Sequence, residues 1–181
     1  MGKKVLVKRM IEVGSLKFGE FILSSGKRSN FYVDVKLAIT YPDILDKISA
    51  LFHEKIQQKK LEFDRIACVE LGGVPLAVSL SLKTGKPYLI FRKKKKDYGM
   101  TTDRIGELRN GDRVLVIEDV TTTGSSALSV VERVREHGCE ISGVLVVVDR
   151  EEGADETLGL KGMRFIPLLT ATELLTYKNR I

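Results

Sequence analysis

The chain has 181 residues, 43% hydrophobic and 30% charged, and 30 Lys and Arg against 24 Asp and Glu give it a formal charge of +6. That length suits one domain with a substantial core and leaves no room for a second catalytic domain, and the composition is that of a soluble globular protein. No apolar run approaches a membrane span, and the Met1-Gly2-Lys3-Lys4 start lacks the apolar core and cleavage site of a signal peptide, so a cytoplasmic protein without a membrane partner is expected.

In chain order, Lys4 to Val13 reads as a short helix closed by Gly14. Phe18 to Leu23 and Asn30 to Val35 read as strands around the turn Ser24-Ser25-Gly26-Lys27-Arg28-Ser29, and together these form an amino-terminal hood. Pro42 stands at a natural first helical position, and Ile44, Leu45, Ile48, Leu51, Phe52 and Ile56 recur at helical spacing up to the polar Gln57-Gln58-Lys59-Lys60. Strand-like segments follow at Asp64–Val69, Tyr88–Phe91, Arg113–Ile117 and Ile141–Val148, with helical patterns at Val74–Lys83 and Ser125–His137 between them. Alternating strand and helix with nearly continuous Val/Ile/Leu strands predicts an α/β fold, a doubly wound and mostly parallel sheet. Ligands in such sheets gather at the carboxyl ends of the strands, which points to the loops Glu70–Gly73, Arg92–Leu108, Glu118–Ser126 and Asp149–Gly153.

Cys68 and Cys139 sit in apolar patterns without CxxC spacing, as expected of buried reduced thiols. Neither His53 nor His137 has a partner at metal-ligand spacing, so neither receives a catalytic role. Much of the excess positive charge lies in Arg92-Lys93-Lys94-Lys95-Lys96, which has no interleaved aromatic platform and no helix-turn-helix nearby, and no nucleic-acid partner is expected. This segment has no apolar periodicity to about Glu107 and is expected to be an exposed loop able to bring cations to an anionic group.

The most specific stretch is Val114-Leu115-Val116-Ile117-Glu118-Asp119-Val120-Thr121-Thr122-Thr123-Gly124-Ser125-Ser126. An apolar strand ends in two carboxylates and opens into a loop of small hydroxyl residues at a helix start, where unpaired N–H groups and the helix dipole favour an anion. Carboxylates beside a phosphate cradle suit a phosphorylated sugar, which presents hydroxyls and a carbon that turns cationic during reaction. In Leu71-Gly72-Gly73-Val74-Pro75 the two glycines let the backbone approach a ligand closely.

The ordered set from Val114 to Ser126 resembles the phosphoribosyl diphosphate (PRPP) motif of the type I phosphoribosyltransferases. Phe21 to Asp34, Gly72-Gly73-Val74-Pro75-Leu76-Ala77, the Arg-Lys-x-x-Lys-x-x-Gly pattern at 92–99 and Val148 to Gly153 extend the resemblance to the orotate branch, over roughly Val13 to Gly153. The resemblance implies a single phosphoribosyltransferase domain over 1–181, with a hood of roughly residues 1–40 plus the C-terminal segment and a core of roughly 41–153. It implies magnesium-dependent transfer of the phosphoribosyl group from PRPP to orotate, giving orotidine 5-phosphate and pyrophosphate in UMP synthesis. The Mg2+ ion is then held mainly by PRPP and water, with no metal ligand among the residues, and the enzyme is a homodimer.

Carried across residue by residue, the resemblance assigns Lys96, Glu118 and Asp119 to catalysis. It assigns Gly72, Gly73, Arg92, Lys93, Lys96, Tyr98, Glu118, Asp119, Val120, Thr121, Thr122, Thr123, Gly124, Ser125 and Ser126 to PRPP, and Phe31, Tyr32, Thr122 and Arg150 to orotate. Arg150 also has its own rationale, because a guanidinium can grip a carboxylate bidentately. Tyr98 stands where many members have a histidine, Gly72 where bacterial members often have a lysine, and Ser24 also replaces a lysine. Tyrosine can hydrogen-bond a phosphate but, with a reference pKa of about 10, shuttles protons poorly near neutrality. A transferase for a purine would keep residues 118–126 but have little use for Arg150, and a PRPP-sensing transcriptional regulator would need a helix-turn-helix that the sequence does not display.

Overall fold

Adjacent hydrophobic residues along the central strands divide between two helical layers, and this alternation organises the molecule. The computed structural model describes residues 2–22, 26–93 and 103–178. Helix α1 (Gly2–Glu12) precedes an antiparallel hairpin of β1 (Leu16–Ile22) and β2 (Arg28–Val33). A short α2 (Val35–Ala38) leads to the long α3 (Pro42–Lys59). Then come β3 (Arg65–Val69), α4 (Gly73–Thr84), β4 (Tyr88–Phe91), β5 (Arg104–Ile105), β6 (Arg113–Thr121), α5 (Ser125–Glu136), β7 (Glu140–Asp149), α6 (Ala154–Gly159), β8 (Phe165–Thr170) and α7 (Ala171–Lys178).

Strands β3 to β8 form one sheet in the order β5-β4-β3-β6-β7-β8, parallel except for β5, which runs antiparallel at the edge. On one face Ile66, Cys68, Leu115, Ile117, Leu145 and Val147 pack with Ile48 and Phe52 of α3 and Leu76 and Leu80 of α4. On the other, Ala67, Leu89, Phe91, Val116 and Val144 meet Ala127, Val130, Val131 and Val134 of α5 and Leu158 of α6. The first layer continues into Leu6 and Met10 of α1 and Leu174 of α7, and Lys3 Nζ donates to Glu173 Oε1 at 2.8 Å between those two helices. Among the described residues no helix is long and apolar enough to cross a membrane.

The α/β class and mostly parallel sheet are as the sequence predicts, and several boundaries differ. Val35 is not the end of β2: the side chain of Asp34 accepts from Leu37 N at 3.0 Å and caps α2, a competing use that a short polar side chain offers the backbone. β6 does not stop at Ile117 but runs to Thr121, because Glu118, Val120 and Thr121 pair with Val146, Val148 and Asp149 of β7. Within the expected loop Arg92–Leu108, Arg104 and Ile105 instead pair with Phe91 and Ile90. β8 also escapes a sequence reading, since Pro167 interrupts its pattern and it pairs on β7 alone.

From β3 the chain moves outward to β4, then returns past β3 to begin β6 on the other side. The strand order therefore reverses between β3 and β6, and a crevice at the carboxyl ends of such a pair is where open α/β sheets bind ligands.

Candidate active site

At this reversal Gly72, the N-cap of α4, lies against Asp119 of β6: a Cβ built on Gly72 would fall 2.0 Å from Asp119 Oδ2. Gly72 has φ of −65°, open to any residue, so glycine is needed here for space. Gly73 is similarly confined, its Cβ position being 2.7 Å from the Cβ of Cys68. The Glu70–Leu71 peptide leading into this turn is cis.

Because β6 continues through the acid pair, Glu118 and Asp119 point to opposite faces of the sheet. Asp119 faces Gly72 and the hood, where Lys36 Nζ of α2 lies 3.1 Å from its Oδ2. That oxygen is buried and accepts no hydrogen bond among the described residues. Glu118 faces the start of α5, and its Oε2 is buried without a hydrogen-bond partner among the described residues. Burial pushes Glu118 up to about 7, with the Asp119 charge adding to the rise and Ser126, the Ala127 N–H and Lys36 acting the other way. Asp119 in turn raises Lys36 above the ordinary ammonium range.

The loop from β6 to α5 turns at Gly124, whose φ of +82° strains any residue with a side chain and where a Cβ would fall 3.3 Å from the Ala154 Cα. Thr122, Thr123, Ser125 and Ser126 are exposed around it, while Thr121 is buried. Hydroxyls and the first-turn N–H groups of a 12-residue helix thus open on one side, an arrangement able to hold an anion.

Arg150 follows β7, its N–H donating to Thr121 O at 3.0 Å. Its Nε donates to Glu152 Oε1 at 2.9 Å, a terminal nitrogen donates to Ser29 Oγ at 3.2 Å, and the guanidinium stacks 4.8 Å from the centroid of Phe31. Lys27 reaches the other oxygen of Glu152 at 3.1 Å. Arg150, joined by Lys27, holds the Glu152 carboxyl below its usual range. A cavity of about 660 Å³ is bounded by Tyr32, Lys36, Val120, Thr122, Thr123, Arg150 and Glu152 among others.

Arg92 and Lys93 stand beyond β4, near the turn after β3. Arg92 N donates to Asp103 O at 2.9 Å, and Lys93 N donates to Glu70 Oε1 at 2.8 Å. Arg133 of α5 stacks 4.3 Å from the centroid of Phe91, donates to the carbonyls of Arg92 at 2.9 Å and Asp103 at 2.6 Å, and pairs with the Asp103 carboxylate.

Of the residues the sequence singles out, Tyr32, Val120, Thr122, Thr123 and Arg150 share the cavity. Gly72, Gly73, Glu118, Asp119 and the 124–126 turn surround the ends of β3 and β6. Phe31 and Tyr32, neighbours on a strand, face opposite ways, so Phe31 is buried beneath Arg150 while Tyr32 is exposed. Lys96, Tyr98 and Ser24 lie outside the described residues. Among the described residues no group of three or more His, Cys, Asp or Glu is arranged to hold a metal, and both cysteines are buried and free. Sequence reasoning missed Lys36 and Glu152; the capping signal Asp34 just before Val35-Lys36 could have marked the first as projecting from a short helix.

A family model for the phosphoribosyl transferase domain matches residues 38–161. The chain is 61% identical over 176 residues to the orotate phosphoribosyltransferase of Archaeoglobus fulgidus, covering 97% of this chain and 93% of that protein. It is 48% identical over 172 residues to that of Pyrococcus horikoshii, covering 95% and 92%. The crystal structure of orotate phosphoribosyltransferase from Aeropyrum pernix superposes with a TM-score of 0.86 at 32% identity over 97% of this chain and 99% of that one. The Mycobacterium tuberculosis enzyme in complex with PRPP superposes with a TM-score of 0.78 at 29% identity, covering 96% and 99%.

Proposed function

The chain belongs to the orotate phosphoribosyltransferases, within the family built on the phosphoribosyl transferase domain, and on that premise we propose that it joins orotate to PRPP in the cavity between hood and sheet. The products are orotidine 5-phosphate and pyrophosphate, a step of UMP synthesis. The observation that carries this reading is the convergence of Arg150, Thr122 and Tyr32 on the cavity beside the Asp119–Gly72 contact.

Orotate is an anion with a flat ring. Arg150, already oriented by Ser29 and Glu152 and stacked on Phe31, offers its guanidinium to the carboxylate, and Tyr32 covers the ring. The 5-phosphate lies on the 122–126 turn, where hydroxyls and the α5 N-terminus favour negative charge. The diphosphate meets the backbone of Gly72 and Gly73 together with Arg92, Lys93 and Lys96. As pyrophosphate leaves, positive charge grows at C1 of the ribose; Asp119 stabilises that charge while the cations stabilise the departing anion. Glu118, facing the other way, steadies the first turn of α5 and so acts on the phosphate side.

Mg2+ fits this cavity as a passenger on PRPP. It is a hard cation that keeps several waters, and the hydroxyls of Thr122 and Thr123 are oxygen groups able to hydrogen-bond those waters. When bound it neutralises part of the diphosphate charge. The homodimer is proposed on the same family grounds, and a cytoplasmic setting follows from the metabolite substrates.

The test is to mix purified protein with orotate, PRPP and Mg2+ and to follow orotate. Consumption of orotate with release of pyrophosphate is expected. Turnover of adenine or hypoxanthine in its place would move the substrate to a purine, and Arg150 would then lose its assigned partner.

A further inference from the structure

Lys36 lies outside the stretches that carry the family resemblance, yet its ammonium is 3.1 Å from the carboxylate proposed to face the reacting sugar. We infer that Lys36 is a positioning residue of the transfer reaction: it holds the Asp119 carboxylate on the backbone of Gly72, and thereby aims it at the ribose. The inference rests on the reaction proposed above and adds a residue to it.

Three observations converge. First, Asp119 Oδ2 is buried and without a hydrogen bond among the described residues, so Lys36 is the group that compensates it. Second, the carboxylate occupies the space where a side chain at position 72 would begin, so that one wall of its seat is bare backbone and the other is the ammonium. Third, α2 is fixed where the lysine can reach: Asp34 caps it through Leu37 N, and Val35 and Ala38 are buried on either side of Lys36. The stem of Lys36 lines the same cavity as Thr122 and Arg150.

The bland alternative is a surface ion pair, worth little because both charges keep their water. The exposures argue against it, since the Lys36 side chain is 61% exposed but that of Asp119 only 13%. Removing the lysine leaves a buried carboxylate oxygen with no partner, and such a group turns toward another donor. A carboxylate displaced by even about 1 Å loses much of its effect on a developing charge, as catalytic groups generally do.

Steady-state rates of the full chain with PRPP, Mg2+ and orotate test this for Lys36→Met, Lys36→Arg, Asp119→Asn and the Lys36→Met/Asp119→Asn double variant. Lys36→Met is expected to lower kcat roughly tenfold, with the orotate KM changed less than about threefold, and Lys36→Arg to recover most of the loss. In the Asp119→Asn background, Lys36→Met should cost less than about twofold, because the interaction it removes is already gone. A wild-type kcat in Lys36→Met, or an undiminished loss in the Asp119→Asn background, overturns the inference. Where Asp119→Asn turns over too slowly to measure, Lys36→Arg decides: recovery supports the positioning role, and a rate as low as that of Lys36→Met overturns it. Failure of the wild type to consume orotate in the same assay would instead overturn the proposed function.

Discussion

Glu118 and Asp119 are adjacent in sequence and separated by the sheet, so they answer to different surroundings. Glu118 carries a proton more tightly in the folded chain, at about 7 against 4.5 for an ordinary glutamate. An acid whose pKa rises on folding stabilises the native state while protonated, and that contribution fades as pH climbs from the unfolded value through the folded one. The melting temperature of the wild type should therefore fall, relative to Glu118→Gln, between about pH 5 and about pH 8, and parallel melting curves across that range would contradict the burial argument. On the other face, Gly72→Ala should push Asp119 out of its seat. It is expected to lower kcat while leaving circular dichroism unchanged, because the clash falls on the end of one side chain and not on the backbone. Arg150→Ala should raise the orotate KM about tenfold or more and leave the PRPP KM near the wild-type value in initial-rate measurements. Arg150, Thr122 and the acid pair were legible because their chemistry is carried by residue type. The division of the acids between two faces was not, since it depends on how far a strand runs, and Glu118-Asp119 is poor strand sequence kept in register by the pairing of Glu118 with Val146 and of Val120 with Val148.

Among the elements, α5 links two ends of the site. Its first turn adjoins the 122–124 loop proposed to hold the phosphate, and Arg133, two turns further on, clasps the carbonyls of Arg92 and Asp103. Arg133→Leu should loosen the backbone of Arg92 and Lys93, raising the PRPP KM by about threefold to tenfold with little effect on that for orotate; equal changes in both would argue for general destabilisation. The long helices and central strands could be read directly, as Ile44, Ile48, Phe52 and Ile56 repeat on one face of α3. β5 could not, because two residues carry no period and their pairing with Ile90 and Phe91 is secured by Asp103 and Arg133 from outside the strand. β8 was hidden by Pro167, tolerated because this strand pairs on one side only.

For the molecule as a whole, the reversal of strand order between β3 and β6 brings the glycine turn at 72–73 to the acid pair and the 122–126 loop, about 45 residues later in sequence, at one end of the sheet. Ligand binding at that junction should stabilise the entire fold. PRPP with Mg2+ at about one hundred times its Kd is expected to add about 3 kcal/mol, or roughly 5–10 °C in melting temperature, and no shift would mean that the site is not formed as described. The same junction holds its cations in advance: Arg150 and Lys27 share Glu152, and Lys36 holds Asp119. At Arg150 an incoming anion therefore has to displace a tethered carboxylate, and free phosphate or sulfate brings no flat ring to compensate.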